Sequence, residues 1–266
     1  MGIKVLILGE SGTGKSTSLR NFTKDELFLV NVANKPLPFK SKFESVNGDN
    51  YREIKKAIAN TNKKSIVIDD SQYLMANEFM RRASEKGFDK FTDIAQNYWD
   101  LIQAVDKLPE ETITYIISHV DKDANGNEKI KTIGKMLDEK ITIEGMFTIV
   151  LKTIVQDGKY YFQTQNSGKD TCKSPIGLFD TFLIPNDLKE VDRLIRDYYE
   201  LTPNITKEFV KELEDKGIDV SSLNDVEVVE QPKSLAEKLA DYQNNEPNAA
   251  PVETADATPV RRRRRV

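Results

Sequence analysis

The sequence predicts an α/β chain in which a mostly parallel sheet is covered by helices on both faces. Three observations carry this expectation. Short apolar runs rich in strand formers alternate with segments of helical spacing. The first run passes directly into a glycine-rich loop, "GESGTGKST" at 9–17, which opens a helical segment. The third run, "SIVIDD" at 65–70, ends in two aspartates.

Taken in order, "IKVLIL" (3–8) reads as a buried strand ended by glycine, and Lys15 to Phe22 as a helix. "LFLVNV" (27–32) is the second strand, followed by the proline-bearing loop "NKPLPF" (34–39). Tyr51 to Asn60 has helical spacing through Tyr51, Ile54 and Ile58, and "SIVIDD" is the third strand. Gln72 to Leu108 holds two helices broken near Gly87. "TITYIISH" (112–119) is the fourth strand, and "DKDANGNEK" (121–129) a polar loop or hairpin tip. "MFTIVLKTIV" (146–155) and "YYFQTQ" (160–165) read as strands around an Asp-Gly turn. Asp187 to Glu200 is amphipathic through Leu188, Val191, Leu194, Ile195 and Tyr198, a stripe suited to packing on the sheet. A short helix at 205–216 follows. Beyond about 230 the chain is rich in Pro, Ala, Asn and Thr, a composition that predicts disorder. The expected division is a core at 1–185, a helical extension at 186–229 and a flexible tail at 230–266.

Composition narrows the function classes. A chain of 266 residues with 38% hydrophobic residues is long enough to bury a sizeable core. One cysteine, Cys172, excludes an internal disulfide framework, and one histidine beside it argues against structural zinc. No run approaches the roughly 18 apolar residues of a membrane span, and no signal-peptide layout is present, so a cytoplasmic protein without membrane contact is expected. The net charge is −4, from 39 basic and 43 acidic residues. Setting aside Arg261, Arg262, Arg263, Arg264 and Arg265 leaves 34 basic against 43 acidic residues, an acidic body of −9 with a basic tip.

The glycine loop fits G-x-x-x-x-G-K-[ST] at Gly9, Gly14, Lys15 and Ser16, with a strand before it and a helix after it, the context that makes this pattern specific for phosphate. Gly9, Glu10, Ser11, Gly12, Thr13, Gly14, Lys15, Ser16 and Thr17 are the candidate nucleotide-binding residues. Gly12 and Gly14 let backbone amides turn inward, Lys15 reaches the outer phosphates, and the Ser16 hydroxyl is a Mg²⁺ ligand. Asp69, at the end of an apolar strand, is the second Mg²⁺ candidate. Asp70 is either the group that polarises an attacking water or a helix N-cap. Ser118 and His119 end the fourth strand, where ligands of open parallel sheets sit; His119 is a γ-phosphate sensor or an exposed loop residue. The guanine-reading Asn/Thr-Lys-x-Asp element is missing, so ATP with Mg²⁺ is the expected cofactor pair. Arg81 and Arg82 are arginine-finger candidates or solvated surface.

"GESGTGKST", "SIVIDDSQYL", "TITYIISHVDKD" and "YFQTQNSGKDTCKSPIGLFD" (161–180) together resemble bacteriophage AAA-type P-loop ATPases with a RecA-like core, a group that includes phage single-strand annealing ATPases. The resemblance spans about residues 1–200. It implies a RecA-like P-loop NTPase fold, phosphate binding at Gly12, Gly14, Lys15, Ser16 and Thr17, Mg²⁺ at Asp69 and a switch at His119. It also implies a role across a subunit boundary for Lys135 and Lys140, which otherwise read as solvated helix lysines. One departure matters. RecA-like enzymes often carry a catalytic glutamate soon after the second strand, and here that region reads "VNVANKPLPF". Either Asp70 takes the role or hydrolysis is slow.

The arginine cluster is suited to non-sequence-specific contact with single-stranded DNA, to an acidic partner, or to the chain's own acidic body. Tyr160, Tyr161 and Phe162 read as core before they read as a stacking platform. The leading function is a Mg²⁺-dependent ATPase of phage DNA recombination or replication in the host bacterial cytoplasm. It would act as a homo-oligomer on single-stranded DNA, with a single-strand-binding protein as a further partner. The alternatives are a nucleotide-gated protein-binding switch with little hydrolysis and a small-molecule or nucleotide kinase.

Overall fold

A computed structural model describes residues 1–201 of the chain. The predicted helix at 205–216, the remainder of the 186–229 segment, and the tail with Arg261–Arg265 lie outside the described residues. Within them the protein is α/β. Nine strands form a mixed sheet: β1 (Ile3–Gly9), β2 (Leu27–Asn31), β3 (Glu44–Asn47), β4 (Ser65–Asp69), β5 (Ile113–Lys122), β6 (Glu128–Ile130), β7 (Ile149–Gln156), β8 (Lys159–Gln163) and β9 (Leu183–Pro185). Their order is β3-β2-β4-β5-β1-β7-β8-β9, with β6 paired to β5 off this path. The six strands from β3 to β7 run parallel; β8, β9 and β6 join antiparallel.

The alternation of side chains along a strand divides the core in two. Leu6, Leu8, Phe28, Val30, Ile66, Ile68 and Ile116 point to one face, where α1 (Tyr51–Asn60) and α3 (Asp89–Val105) cover them. Val5, Ile7, Leu27, Leu29, Val67, Tyr115 and Ile117 point to the other, under α4 (Leu188–Tyr198). Strands apolar on both sides are what a doubly covered parallel sheet requires. Each fully buried aliphatic side chain contributes about 1.5–3 kcal/mol.

The helix starts follow local chemistry. Asn50 accepts hydrogen bonds from the Arg52 and Glu53 amides and caps α1; Asp187 does the same for Lys189 and Glu190 at α4. Gly87, in the left-handed region, separates α2 (Gln72–Arg81) from α3. The Asp157-Gly158 turn has φ of 52° and 74°, the pair of positive values a tight hairpin between β7 and β8 needs. Of the α4 stripe, Leu188, Val191 and Ile195 are buried on the sheet and Leu194 is half-buried, but Tyr198, on the last turn, is exposed.

Several elements differ from expectation. The helix expected from Lys15 is a 3-10 helix, Ser16–Asn21. Its Ser, Thr and Asn residues compete with the backbone: the Ser18 hydroxyl donates to the Lys15 carbonyl at 2.6 Å. The fourth strand runs on to Lys122 because Val120–Lys122 pair with β6. Strands β3 ("ESVN") and β9 ("LIP") were not anticipated, being short edge strands without an alternating pattern. The segment expected as strand from 146 pairs only from Ile149, after a 3-10 turn at Ile143–Met146. Among the described residues no helix is long and apolar enough to cross a membrane.

Candidate functional site

The carboxyl ends of the parallel strands converge on one crevice. Register places Gly9 beside His119 and Asn31 beside Asp69, so the loop after β1, the aspartates after β4 and the end of β5 share one rim. This is where open α/β sheets place ligands.

Three glycines shape the loop for different reasons. Gly12 (φ 79°) and Gly14 (φ 92°) occupy the left-handed region that disfavours side chains. A Cβ on Gly14 would also lie 2.9 Å from a Tyr160 ring carbon and 3.2 Å from Asn186 Oδ1. At Gly9 the constraint is space: a Cβ there would stand 2.0 Å from Thr153 Oγ1. Thr153, on β7, exchanges a 2.6 Å hydrogen bond with Thr13 and tethers the loop to the sheet.

Lys15 is buried, and its ammonium donates to the carbonyls of Gly9 (3.1 Å) and Glu10 (2.7 Å), which places it across the inside of the loop. Burial lowers its pKa, against the opposing pull of Asp70 and Asp69. Glu10, Ser11 and Gly12 are exposed; Glu10 pairs with Lys122 at 3.4 Å. Thr13, Ser16 and Thr17 are half-buried. The Ser16 hydroxyl donates to Asp69 Oδ2 at 2.8 Å.

Asp69 is 3% exposed, and its Oδ1 has no hydrogen-bond partner. Burial, then the neighbouring Asp70, raise its pKa, against the Ser16 hydrogen bond. Such an oxygen retains lone pairs for a cation. Mg²⁺ is commonly held by one or two protein groups together with water and phosphate oxygens, and Ser16 with Asp69 supplies a set of that kind.

Asp70 behaves differently. Its φ of 57° lies in the left-handed region, a strained setting that Asp tolerates better than most residues. Burial by itself would raise its pKa, yet His119 and Lys35 together bring it down to about 2. Its Oδ1 lies 3.5 Å from His119 Nε2, and its Oδ2 is ion-paired with Lys35. The residue at the N-cap of α2 is Ser71, so the helix-cap reading of Asp70 does not hold. His119 is part of β5 and not a loop residue; its ring also meets Tyr73 edge-on at 6.3 Å. Gln72 Oε1 accepts from the Ser118 hydroxyl (3.4 Å) and the His119 amide (3.3 Å), linking α2 to the end of β5.

Other candidates lie elsewhere. Arg81 pairs with Asp49, and Arg82 with Glu78, Glu85 and Asp93, so both are committed to surface ion pairs. The Lys135 side chain is exposed and lies 3.7 Å from Glu139, as a solvated helix lysine would. Phe162 and Tyr161 are buried in the sheet. Lys35, Gln72, Thr153 and Asn186 were not read from the sequence. Asn186 is fully buried beside Gly14, with neither amide atom hydrogen-bonded. Lys35 had a signal: it follows β2, whose carboxyl end borders that of β4. Thr153 and Asn186 had none, because only tertiary folding brings them to the loop.

No protein-family model matches the chain, and a search of curated proteins finds no match either.

Proposed function

We propose that the protein is a Mg²⁺-dependent ATPase with a RecA-like core, of the phage recombination or replication type, acting on single-stranded DNA. One observation carries the nucleotide part. The Ser16 hydroxyl and the Asp69 carboxylate are hydrogen-bonded to each other beneath a loop turned by two left-handed glycines, with Lys15 across it. That set suits a triphosphate with its metal.

In this reading Lys15 leaves the Gly9 and Glu10 carbonyls for phosphate oxygens, a stronger charge-assisted contact. Ser16 and Asp69 hold and orient the cation. Mg²⁺, when bound, neutralises charge developing on the transferred phosphoryl group. Asp70, 3.5 Å from Nε2, orients the His119 ring. His119 then signals the state of the outer phosphate to β5 and the β5–β6 hairpin. The arginine cluster at 261–265 adds a salt-sensitive DNA contact.

The experiment is phosphate release from ATP, with and without Mg²⁺ and single-stranded DNA, at low and high salt. The full chain is compared with one carrying Ser at all five arginine positions. DNA-stimulated, Mg²⁺-dependent turnover supports the proposal, and its loss in the Ser variant assigns a DNA contact to the tail. A phosphorylated acceptor in place of free phosphate would point to a kinase.

A second reading, a nucleotide-gated switch with little hydrolysis, is favoured by Lys35. A lysine stands at the mouth where a catalytic acid would be expected, and it holds Asp70 in an ion pair. Stoichiometric ATP binding by calorimetry with negligible phosphate release, unmoved by DNA, would establish that reading over the first.

A further inference from the structure

The connection between β2 and β3 carries a surface that neither the nucleotide site nor the tail uses. It folds against the end of the 3-10 helix and borders a shallow, open groove of about 750 Å³. Phe22 forms part of the lining, Phe39 and Phe43 stand half-buried beside it, and Lys24, Lys40 and Lys42 are exposed around it. The two half-buried rings meet edge-to-face with centroids 6.2 Å apart.

At this groove three exposed lysines and three phenylalanines line one surface. Among the described residues no ion pair or hydrogen bond engages the ammonium groups of Lys24, Lys40 or Lys42. Of the acids next to the lining in sequence, Glu26 is committed to Lys189 at 2.9 Å, while Asp25 and Glu44 are exposed. A cluster of uncommitted cations on a body with an acid excess is a local attractor for a polyanion. The phenylalanines narrow the choice. An acidic peptide gains little from aromatic rings, whereas unpaired bases stack on them irrespective of sequence. Bases in a duplex are already stacked and would not reach into a groove.

We infer that this groove binds single-stranded nucleic acid, with backbone phosphates on Lys24, Lys40 and Lys42 and bases against Phe39 and Phe43. The inference deepens the proposed function and rests on its DNA part; it assigns the contact to the folded body in addition to the tail. The same connection carries Lys35, which is ion-paired with Asp70, so one short segment touches both sites.

The test is fluorescence anisotropy of labelled oligothymidylate with the full chain across a range of NaCl concentrations. Three proteins are compared: wild type, the triple variant Lys24→Gln/Lys40→Gln/Lys42→Gln, and Phe39→Leu. Thermal melting and binding of a fluorescent ATP analogue verify that each is folded. The triple variant should bind more weakly, and its slope of log affinity against log salt should fall by about 2, at roughly 0.7 per lost phosphate contact on a single strand. Phe39→Leu should bind about tenfold more weakly with an unchanged slope. If wild type binds and the folded triple variant binds with the same affinity and slope, the groove is not the site, while DNA binding itself stands. If wild type does not bind oligothymidylate, both the groove and the DNA part of the proposed function fall. Equal binding of labelled oligoglutamate, with Phe39→Leu affecting neither ligand, would make the groove a general anion surface and overturn the inference.

Discussion

The two ends of the same parallel strands treat buried acids in opposite ways. At the amino ends, Asp192 of α4 accepts from the Ser65 hydroxyl (2.8 Å), the Tyr115 phenol (2.9 Å) and Arg196 Nε (2.6 Å). Arg196 goes on to donate to the carbonyls of Glu111 and Lys64. Along β4, about 13 Å from Ser65 at the usual strand rise, Asp69 keeps one oxygen without a partner. Asp70 beside it has a left-handed backbone, and nearby Asn186 bonds through neither amide atom. An acid whose oxygens are all bonded fastens elements together. An acid left with an open oxygen, at a cost of about 1–3 kcal/mol for the unmade bond, is available to something from outside the chain.

The contrast can be broken most severely at the fastened end. Asp192→Ala strands Arg196 and two hydroxyls, and unfolding in urea should reveal a loss of about 3–5 kcal/mol. Nucleotide affinity of the folded fraction should not change. Asp69→Asn should do the reverse. Under the proposed function, Mg²⁺-dependent phosphate release is expected to fall roughly 10²–10³-fold. The same denaturation experiment should show stability raised by about 1 kcal/mol, since burial and Asp70 both oppose its charge.

Asp70→Asn separates the two neighbouring acids by pH. Asn tolerates the left-handed backbone, so the substitution chiefly removes charge. The depressed pKa of Asp70, about 2, favours the ionised folded state. Its contribution of about 2 kcal/mol is present above the unfolded value near 4 and is lost as pH falls towards 2. The stability gap between wild type and variant should therefore be widest near neutrality and close through that interval. A gap independent of pH would mean that packing, and not the Lys35 and His119 partners, dominates. The smallest effect is expected for Thr153→Val, which keeps shape but removes the tether to Thr13. Nucleotide affinity should weaken about fivefold, near 1 kcal/mol, with the melting temperature little changed.

The sequence showed the site's spine and missed its supports. The loop glycines, Lys15, Ser16 and Asp69 are legible because their spacing and their place at strand ends encode them together. The α1 and α4 stripes and the Asp157-Gly158 turn are legible for the same local reasons. Asn186 and Thr153 meet the loop only through β7 and β9, strands far along the chain, and no local pattern announces that meeting. Strand β3 was missed because an edge strand with exposed side chains has no apolar alternation to read. The 3-10 geometry of Ser16–Asn21 depends on competition between hydroxyls and backbone, which a helical spacing count does not register.

The central position of β1 has a consequence for how the molecule is made. Its two neighbours in the sheet are β5 and β7, at Ile113–Lys122 and Ile149–Gln156. During translation "IKVLIL" emerges before both and waits for them. At about 5–20 residues per second, that interval lasts roughly 8 to 30 s. A strand apolar on both faces, left unpaired for so long, is a template for wrong partners. The glycine loop therefore matures late although it is synthesised before its neighbours, and a nascent chain stopped before β7 should have no ordered loop at 9–17.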